Sequence, residues 1–145
     1  MIFRVATRAD LPVVLGLLAD AGRERAEVTE AHERAFAAIE ADPRNELLVL
    51  AEAGTVLGCL QLTYVPGLGQ GGRERALVEA VRVRADRRGG GLGAELMRLA
   101  VARARERGCG LVQLTSNKQR TDAHRFYERL GFARSHEGFK LHLEQ

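Results

Sequence analysis

Residues 87–93 read Arg-Arg-Gly-Gly-Gly-Leu-Gly, and they join the clearest strand pattern of the chain to its longest helical pattern. Ahead of them, residues 75–85 (RALVEAVRVRA) are rich in β-forming side chains. Behind them, apolar residues recur at helical spacing from about Leu92 to Arg107, and Gly108 closes the run. Glycine this dense costs backbone entropy on folding, so bare backbone must serve a purpose there. The first N–H groups of a helix point outward without partners, and the helix dipole adds positive charge to them. With no Cβ atoms in the way, the backbone can approach an anion closely. Strand, glycine loop and helix therefore form a phosphate-binding unit on physical grounds.

Two common phosphate loops fail here. A P-loop needs Gly-Lys-Ser/Thr after the glycines, and none follows. The run also fits G-x-G-x-x-A, but a dinucleotide fold needs an acid near the end of the next strand to hold the ribose. That strand ends in Thr115-Ser116-Asn117, and the chain has no second half for such a domain.

The rest of the chain reads as alternating elements. Residues 2–6 form a first strand, followed by a helix with Asp10 as N-cap, Pro12 early, and Leu11, Val14, Leu15 and Leu18 on one face. A second helix covers 29–41, with Thr29 as cap and Phe36 and Ile39 facing inward. Residues 46–65 give two strands joined by a hairpin at Ala53-Gly54, and 66–72 a glycine-rich loop. Residues 110–115 read as a buried strand, 122–131 as a short helix ending at Gly131, and 132–143 as a closing strand. The order β-α-α-β-β-β-α-β-α-β implies a mixed sheet carrying helices. With 145 residues, no internal repeat and no linker, one domain spanning 1–145 is expected.

A third pattern accounts for the glycines. Arg88, Gly89, Gly90, Gly91, Leu92 and Gly93 match R-x-x-G-x-G after a strand ending Val81-Arg82-Val83. Residues 123–132 (AHRFYERLGF) match A-x-x-F-Y-x-x-x-G-F, and the two motifs stand in the right order. Together they resemble the GNAT family of N-acetyltransferases over essentially the whole chain. The stretch from Leu114 to Lys140 is especially similar to aminoalkylphosphonate N-acetyltransferases. The resemblance implies an α/β (α+β) GNAT fold: a mixed, mostly antiparallel sheet of six to seven strands, a splayed central strand pair, and helices on both faces. It implies acetyl-CoA as cosubstrate, CoA as product, and direct acetyl transfer to a primary amine.

The same resemblance assigns roles. The amides of Arg88 to Gly93 would hold the CoA pyrophosphate, and the backbone of Val81, Arg82 and Val83 the pantetheine arm and thioester. Asn117 and Arg125 would add CoA contacts. Tyr127 would protonate the leaving thiolate; the alternative is a helix tyrosine packed in the core. A phenol of pKa about 10 donates to a thiolate whose acid has pKa about 8.5 only with local tuning. The attacking amine must lose a proton near neutral pH, since an alkyl ammonium titrates near ~10.4. Glu79 is the candidate base, because it interrupts an apolar strand. Simple alternation puts it on one face with Leu77, Val81 and Val83. Related enzymes often carry Glu-Asp at this point; here Ala80 follows. The alternative is a strand-edge acid paired with Arg73 or Arg75.

Composition bounds the partners. Only Lys118 and Lys140 are lysines among 22 basic residues, the net charge is +3, and the arginines are interspersed with acids. With 5% aromatic residues there is no stacking platform, so no nucleic-acid partner is expected. No apolar run approaches the ~20 residues of a membrane helix, and the N-terminus lacks the pattern of a secretory signal. Cys59 and Cys109 then read as reduced thiols in a cytoplasmic protein. Phosphonate-acetylating relatives are associated with a divalent metal, but His32, His124, His136 and His142 show no metal spacing, so none is expected. His124 reads as a surface or helix-start residue, and His136 as a neighbour of the acceptor pocket. By resemblance the acceptor lies among residues 20–36, 65–75 and 134–140. Arg23, Arg25, Arg34, Arg73 and Arg75 there would suit an anionic small-molecule amine, and the neighbouring glutamates blunt that reading. A peptide-acetylating enzyme, a non-catalytic acyl-CoA sensor and a homodimer remain open.

Overall fold

In the computed structural model, residues 1–19 and 25–143 are described. The elements run β1 (Ile2–Val5), α1 (Leu11–Leu18), α2 (Glu30–Ala41), β2 (Asn45–Glu52), β3 (Thr55–Val65), β4 (Arg75–Val83), α3 (Leu92–Arg107), β5 (Leu111–Gln113) and α4 (Thr121–Arg129). Short 3-10 turns precede α1, β4 and α3. Two compact units emerge, Met1–Gln113 and Leu114–Gln145.

The first unit holds one sheet in the order β1-β2-β3-β4-β5. The first three pairings are antiparallel, whereas β4 and β5 run parallel. That last pairing covers only Arg75–Leu77 against Leu111–Gln113, so the second half of β4 has no β5 neighbour. The sheet therefore has five strands among the described residues, fewer than the six to seven expected. The missing member is the closing strand: residues 132–143 form no helix or strand, and 133–143 are exposed throughout. A strand exists only where its backbone groups find partners, and alternation in the sequence cannot supply them. For the same reason the strand expected to be buried at 110–115 shortens to an edge, with Leu111 and Val112 half-buried.

Helices cover both faces of this sheet. On one, Leu47, Val49 and Cys59 pack with Leu11, Val14 and Leu17 of α1 and Phe36 of α2. Register assigns Leu48, Leu60, Leu62 and Val78 to the other, where α3 lies against β3 and β4. Its Leu96, Met97, Ala100 and Ala104 are buried. A Cβ added at Gly58 would lie 2.9 Å from the Arg82 carbonyl oxygen and 2.9 Å from Leu96 Cδ1. Because one of those neighbours is backbone, Gly58→Ala should cost about 1–3 kcal/mol, read as a lower urea midpoint. An unchanged midpoint would show that β3 and α3 separate freely.

Local signals behave as their chemistry requires in most places. Thr29 caps α2, its hydroxyl accepting from the His32 amide. Ala53 and Gly54 both adopt positive φ at the β2–β3 turn, and Gly108 ends α3 in the left-handed region. Asp10 differs. It precedes α1, but its carboxylate binds the Thr7 amide and Arg4 rather than the helix.

One polar network ties α3 to the sheet. Arg103 donates twice to Glu46 (2.9 and 2.6 Å), Tyr64 Oη donates to Glu46 Oε1 at 2.6 Å, and the Arg107 guanidinium stacks over the Tyr64 ring. Arg103 above all holds the Glu46 carboxyl below its ordinary range, with Tyr64 helping. A depressed carboxylate stabilises the fold fully above its unfolded pKa, about 4.3, and the contribution fades as pH falls through the folded value. Glu46→Gln should therefore flatten the loss of thermal stability below about pH 4.5. An identical acid limb in wild type and variant would remove this linkage.

In the second unit, α4 buries Ala123 and ends at Gly131, whose φ of 100 suits glycine. Phe126 and Tyr127 meet edge to face at 5.1 Å, and Tyr127 and Phe132 at 6.0 Å.

Candidate active site

The strand that carries Glu79 is not regular. Gln61 pairs with Glu79 and Cys59 with Arg82, so two steps on β3 match three on β4. Ala80 takes φ of 56, left-handed for a residue with a Cβ. This is a β-bulge, and it changes which residues share a face. Leu77 and Glu79 stay together, but the third member is Arg82; Val83 pairs with Gly58 on the α3 side. The expected grouping of Glu79 with Val81 and Val83 is thus overturned, because alternation holds only where no residue is inserted. Nothing in the sequence marks Ala80 as the bulge.

Glu79 lies on the face that packs against α1 and α2. It is exposed, and among the described residues it makes no ion pair with Arg73 or Arg75. Arg73 instead donates to the Gln70 carbonyl. Arg75 shares the Glu79 face, is half-buried and has no ion-pair partner among the described residues. Arg25 and Arg34 are exposed, and Arg34 pairs with Glu30 on its own helix. Arg23 lies outside the described residues.

Beneath the bulge sits Cys59, fully buried, with its thiol 3.6 Å from the Ala80 carbonyl oxygen. Burial pushes that thiol up to about 12, so it stays protonated and is no nucleophile near neutral pH. The sequence marks Cys59 as a thiol but carries no signal of its depth.

Beyond β4 the Arg84 amide donates to the Leu57 carbonyl at 2.8 Å, and a turn of 3-10 helix leads into the glycines. Gly89 and Gly91 both have φ of 83, and Gly91 is the N-cap of α3. Glycine is needed at both because a Cβ is disfavoured there. Among the described residues, no backbone carbonyl or side chain accepts from the amides of Arg88, Gly89, Gly90 and Gly91. Leu92 is buried and anchors the loop, while the glycines are exposed on the 88–91 segment. A Cβ added at Gly89 or Gly91 would meet nothing within 4 Å. The loop therefore presents unpartnered donors to open space at the positive end of a 16-residue helix. Arg88 donates to the Val83 carbonyl and Arg82 to that of Val81, bracing the strand end.

Clefts of this unit include two among the described residues. One of about 280 Å³ is lined by Glu52, Thr55, Leu57, Arg84, Asp86 and Arg87 among others, and one of about 180 Å³ lies between β1, α2 and β2. Glu79 lines neither.

Asn117, Arg125 and Tyr127 belong to the second unit. Asn117 Oδ1 accepts from the Gln119 amide, and its carbonyl lies 2.8 Å from His124 Nε2. His124 is thus half-buried and engaged rather than a free surface group. Arg125 is exposed, and Tyr127 is half-buried between Phe126 and Phe132. His136 bonds its neighbour Ser135. Among the described residues, no three His, Cys, Asp or Glu side chains assemble a metal-binding set. No helix there is long and apolar enough to cross a membrane.

Comparison with known proteins gives a consistent answer. The profile of the acetyltransferase (GNAT) family matches residues 15–132. An aminoalkylphosphonate N-acetyltransferase of Salmonella typhimurium is 32% identical over 133 residues, covering 92% of this chain and 85% of the relative. Among solved structures, a transcriptional regulator from Bacillus halodurans superposes with a TM-score of 0.91 at 45% identity, over 98% of this chain and 99% of the other. An acetyltransferase of Trypanosoma brucei gives 0.82 at 28% identity, over 98% and 99%.

Proposed function

This chain belongs to the GNAT acetyltransferase family, and we propose that it moves an acetyl group from acetyl-CoA directly to the primary amine of a small molecule. The observation that carries the reading is the row of unpartnered amides from Arg88 to Gly91 at the head of α3. Such donors suit a pyrophosphate, whose charge the helix dipole also favours. Leu92 and Gly93 continue the row into the first helical turn, where amides lack intrahelical acceptors. The second half of β4, Val81 to Val83, has no β5 neighbour. Its backbone is available to the pantetheine arm, and an N–H there can stabilise the oxyanion that forms at the thioester carbonyl.

In the reaction, Glu79 accepts a proton from the ammonium, and the free amine attacks the thioester carbon. A C–N bond forms, the C–S bond breaks, and Tyr127 donates its phenolic proton to the departing sulfur. Asn117 and Arg125 are assigned to CoA contacts by motif position. Arg75, on the Glu79 face and four residues away, supports an acceptor with an acidic group at its far end. The side chains stand roughly 13 Å apart along the strand at their Cα atoms, a span that the long arginine shortens. The Salmonella relative's name fits that chemistry, since a phosphonate supplies the acidic end.

Calorimetric titration with acetyl-CoA and CoA, followed by a thiol-release assay, tests the reading. The amine panel is aminoalkylphosphonates, amino acids, amino sugars, polyamines and a lysine peptide. Micromolar binding with turnover on an anionic amine is expected. Turnover on the lysine peptide alone would replace the small-molecule acceptor with a protein. Binding without turnover would leave an acyl-CoA sensor, and absence of binding would end the enzyme reading.

A further inference from the structure

On the α1–α2 face of the sheet, Glu79 of β4 stands directly opposite Gln61 of β3. Side chains paired in this way have Cβ atoms about 5 Å apart. Gln61 is half-buried. The two ends of its amide differ in character, since the nitrogen donates and the oxygen accepts. A row of side chains leading in from the surface fixes which end meets which neighbour.

The row starts at Asp42. Its carboxylate accepts from the Arg44 amide at 2.8 Å and from Asn45 Nδ2 at 3.0 Å, and these two bonds hold it below its ordinary range. A carboxylate only accepts, so Asn45 turns its nitrogen to Asp42 and its Oδ1 the other way. That oxygen takes the Thr63 hydroxyl at 2.9 Å and Gln61 Nε2 at a long 3.5 Å. The nitrogen of Gln61 is therefore committed toward β2, and Oε1 is the other fork of the same amide. Among the described residues of Met1–Gln113, nothing donates to Oε1. One cross-strand pair thus carries two acceptors, the Gln61 oxygen and the Glu79 carboxylate. The group that suits both is a compact donor with several N–H bonds, and a primary ammonium has three.

We propose that Gln61 binds the acceptor's ammonium together with Glu79, its Oε1 taking one N–H while the carboxylate takes another. The inference deepens the acetyl-transfer reading and rests on it for a primary amine beside Glu79. Once Glu79 has removed its proton, the neutral amine keeps two N–H bonds. Gln61 holds one of them, so the lone pair stays along the vacated direction and does not rotate away from the thioester. Thr63 with Leu77, then Val65 with Arg75, are the next pairs along the same face. A linear acceptor therefore runs down the β3–β4 seam with its acidic end at Arg75.

Calorimetry on the CoA-loaded protein tests this with an aminoalkylphosphonate and its N-trimethyl analogue, which has no N–H. Gln61→Met keeps the length of the side chain without its carbonyl. It should weaken the primary amine roughly 10–100-fold, the range of a hydrogen bond to a charged group, and leave CoA and the trimethyl analogue unchanged. Equal affinity for the primary amine in the two proteins overturns the proposal, as does a wild type that binds no amine. Weakening of both ligands alike would mark a packing defect and overturn it too. Gln61→Glu gives a readout independent of folding around methionine. The Glu79 carboxyl, followed by nuclear magnetic resonance, should titrate at higher pH than in wild type, because a like charge close by disfavours ionisation. An unmoved titration would show that the two side chains do not share a site. If amine binding depends on Gln61 while wild type releases no thiol with any amine, the ammonium site stands and the acetyl-transfer reading falls.

Discussion

Changing Glu79 to Gln lowers kcat by about 10²–10⁴-fold, the range in which a positioned general base contributes, and leaves acetyl-CoA affinity unchanged. The argument starts from the β-bulge. By inserting Ala80 at φ of 56, the strand keeps Glu79 on the α1–α2 side while the following backbone turns toward the glycine loop. Glu79 pairs with no cation among the described residues, so its carboxylate has no structural duty to lose. Glutamine preserves its size and its hydrogen-bonding reach but cannot take a proton. The variant should recover as pH rises toward the ammonium's own pKa, near ~10.4, where the ammonium gives up its proton to solvent without help. An acceptor amine of lower pKa should rescue it in the same way. If kcat is unaltered at neutral pH, Glu79 is not the base, and a water relay must be sought elsewhere on β4.

Gly90→Asp should weaken acetyl-CoA binding on the order of 100-fold, since a carboxylate about 5 Å from a phosphate costs near 3 kcal/mol at an effective dielectric of 20. The site separates binding from folding. Unlike its neighbours, Gly90 does not sit at positive φ, and an added Cβ would meet only the Arg87 carbonyl oxygen at 3.5 Å, an ordinary contact. An acid in the loop ahead of α3 also complements the helix dipole. The unliganded variant should thus be as stable as wild type or slightly more so, while its complex is weaker. Equal affinity in the two proteins would mean that the pyrophosphate does not rest on this loop.

Much of the geometry behind these two experiments was legible in the residues. Three consecutive glycines at a strand-helix junction imply bare backbone that an anion can approach, and among the described residues the amides of Arg88 to Gly91 have no acceptor. Thr29 ahead of a helical pattern implies a cap, and Gly108 after one implies a stop; both act so. These are local effects, set by a side chain's volume or its reach to the nearest amide. The same holds for the hairpin at Ala53-Gly54.

The misreadings share a different cause. Alternation, the default of a strand, groups Glu79 with Val81 and Val83, yet register against Cys59 and Gln61 inserts a residue at Ala80. The pattern of residues 132–143 implies a strand, yet among the described residues they form none. Asp10 stands at the N-cap of α1 as its place in the sequence implies, but its carboxylate goes to Arg4 and the Thr7 amide and not to the helix. The depth of Cys59, the Glu46–Arg103 tie and the placement of Arg75 on the Glu79 face likewise depend on residues far apart in the chain. Whatever a few neighbouring residues decide, the backbone conformation of the glycine loop and the ends of the helices, could be read from the amino acids in order. Pairing, burial and which charges meet are set by distant segments competing for the same hydrogen bonds and the same apolar surface, and only the folded chain resolves that competition.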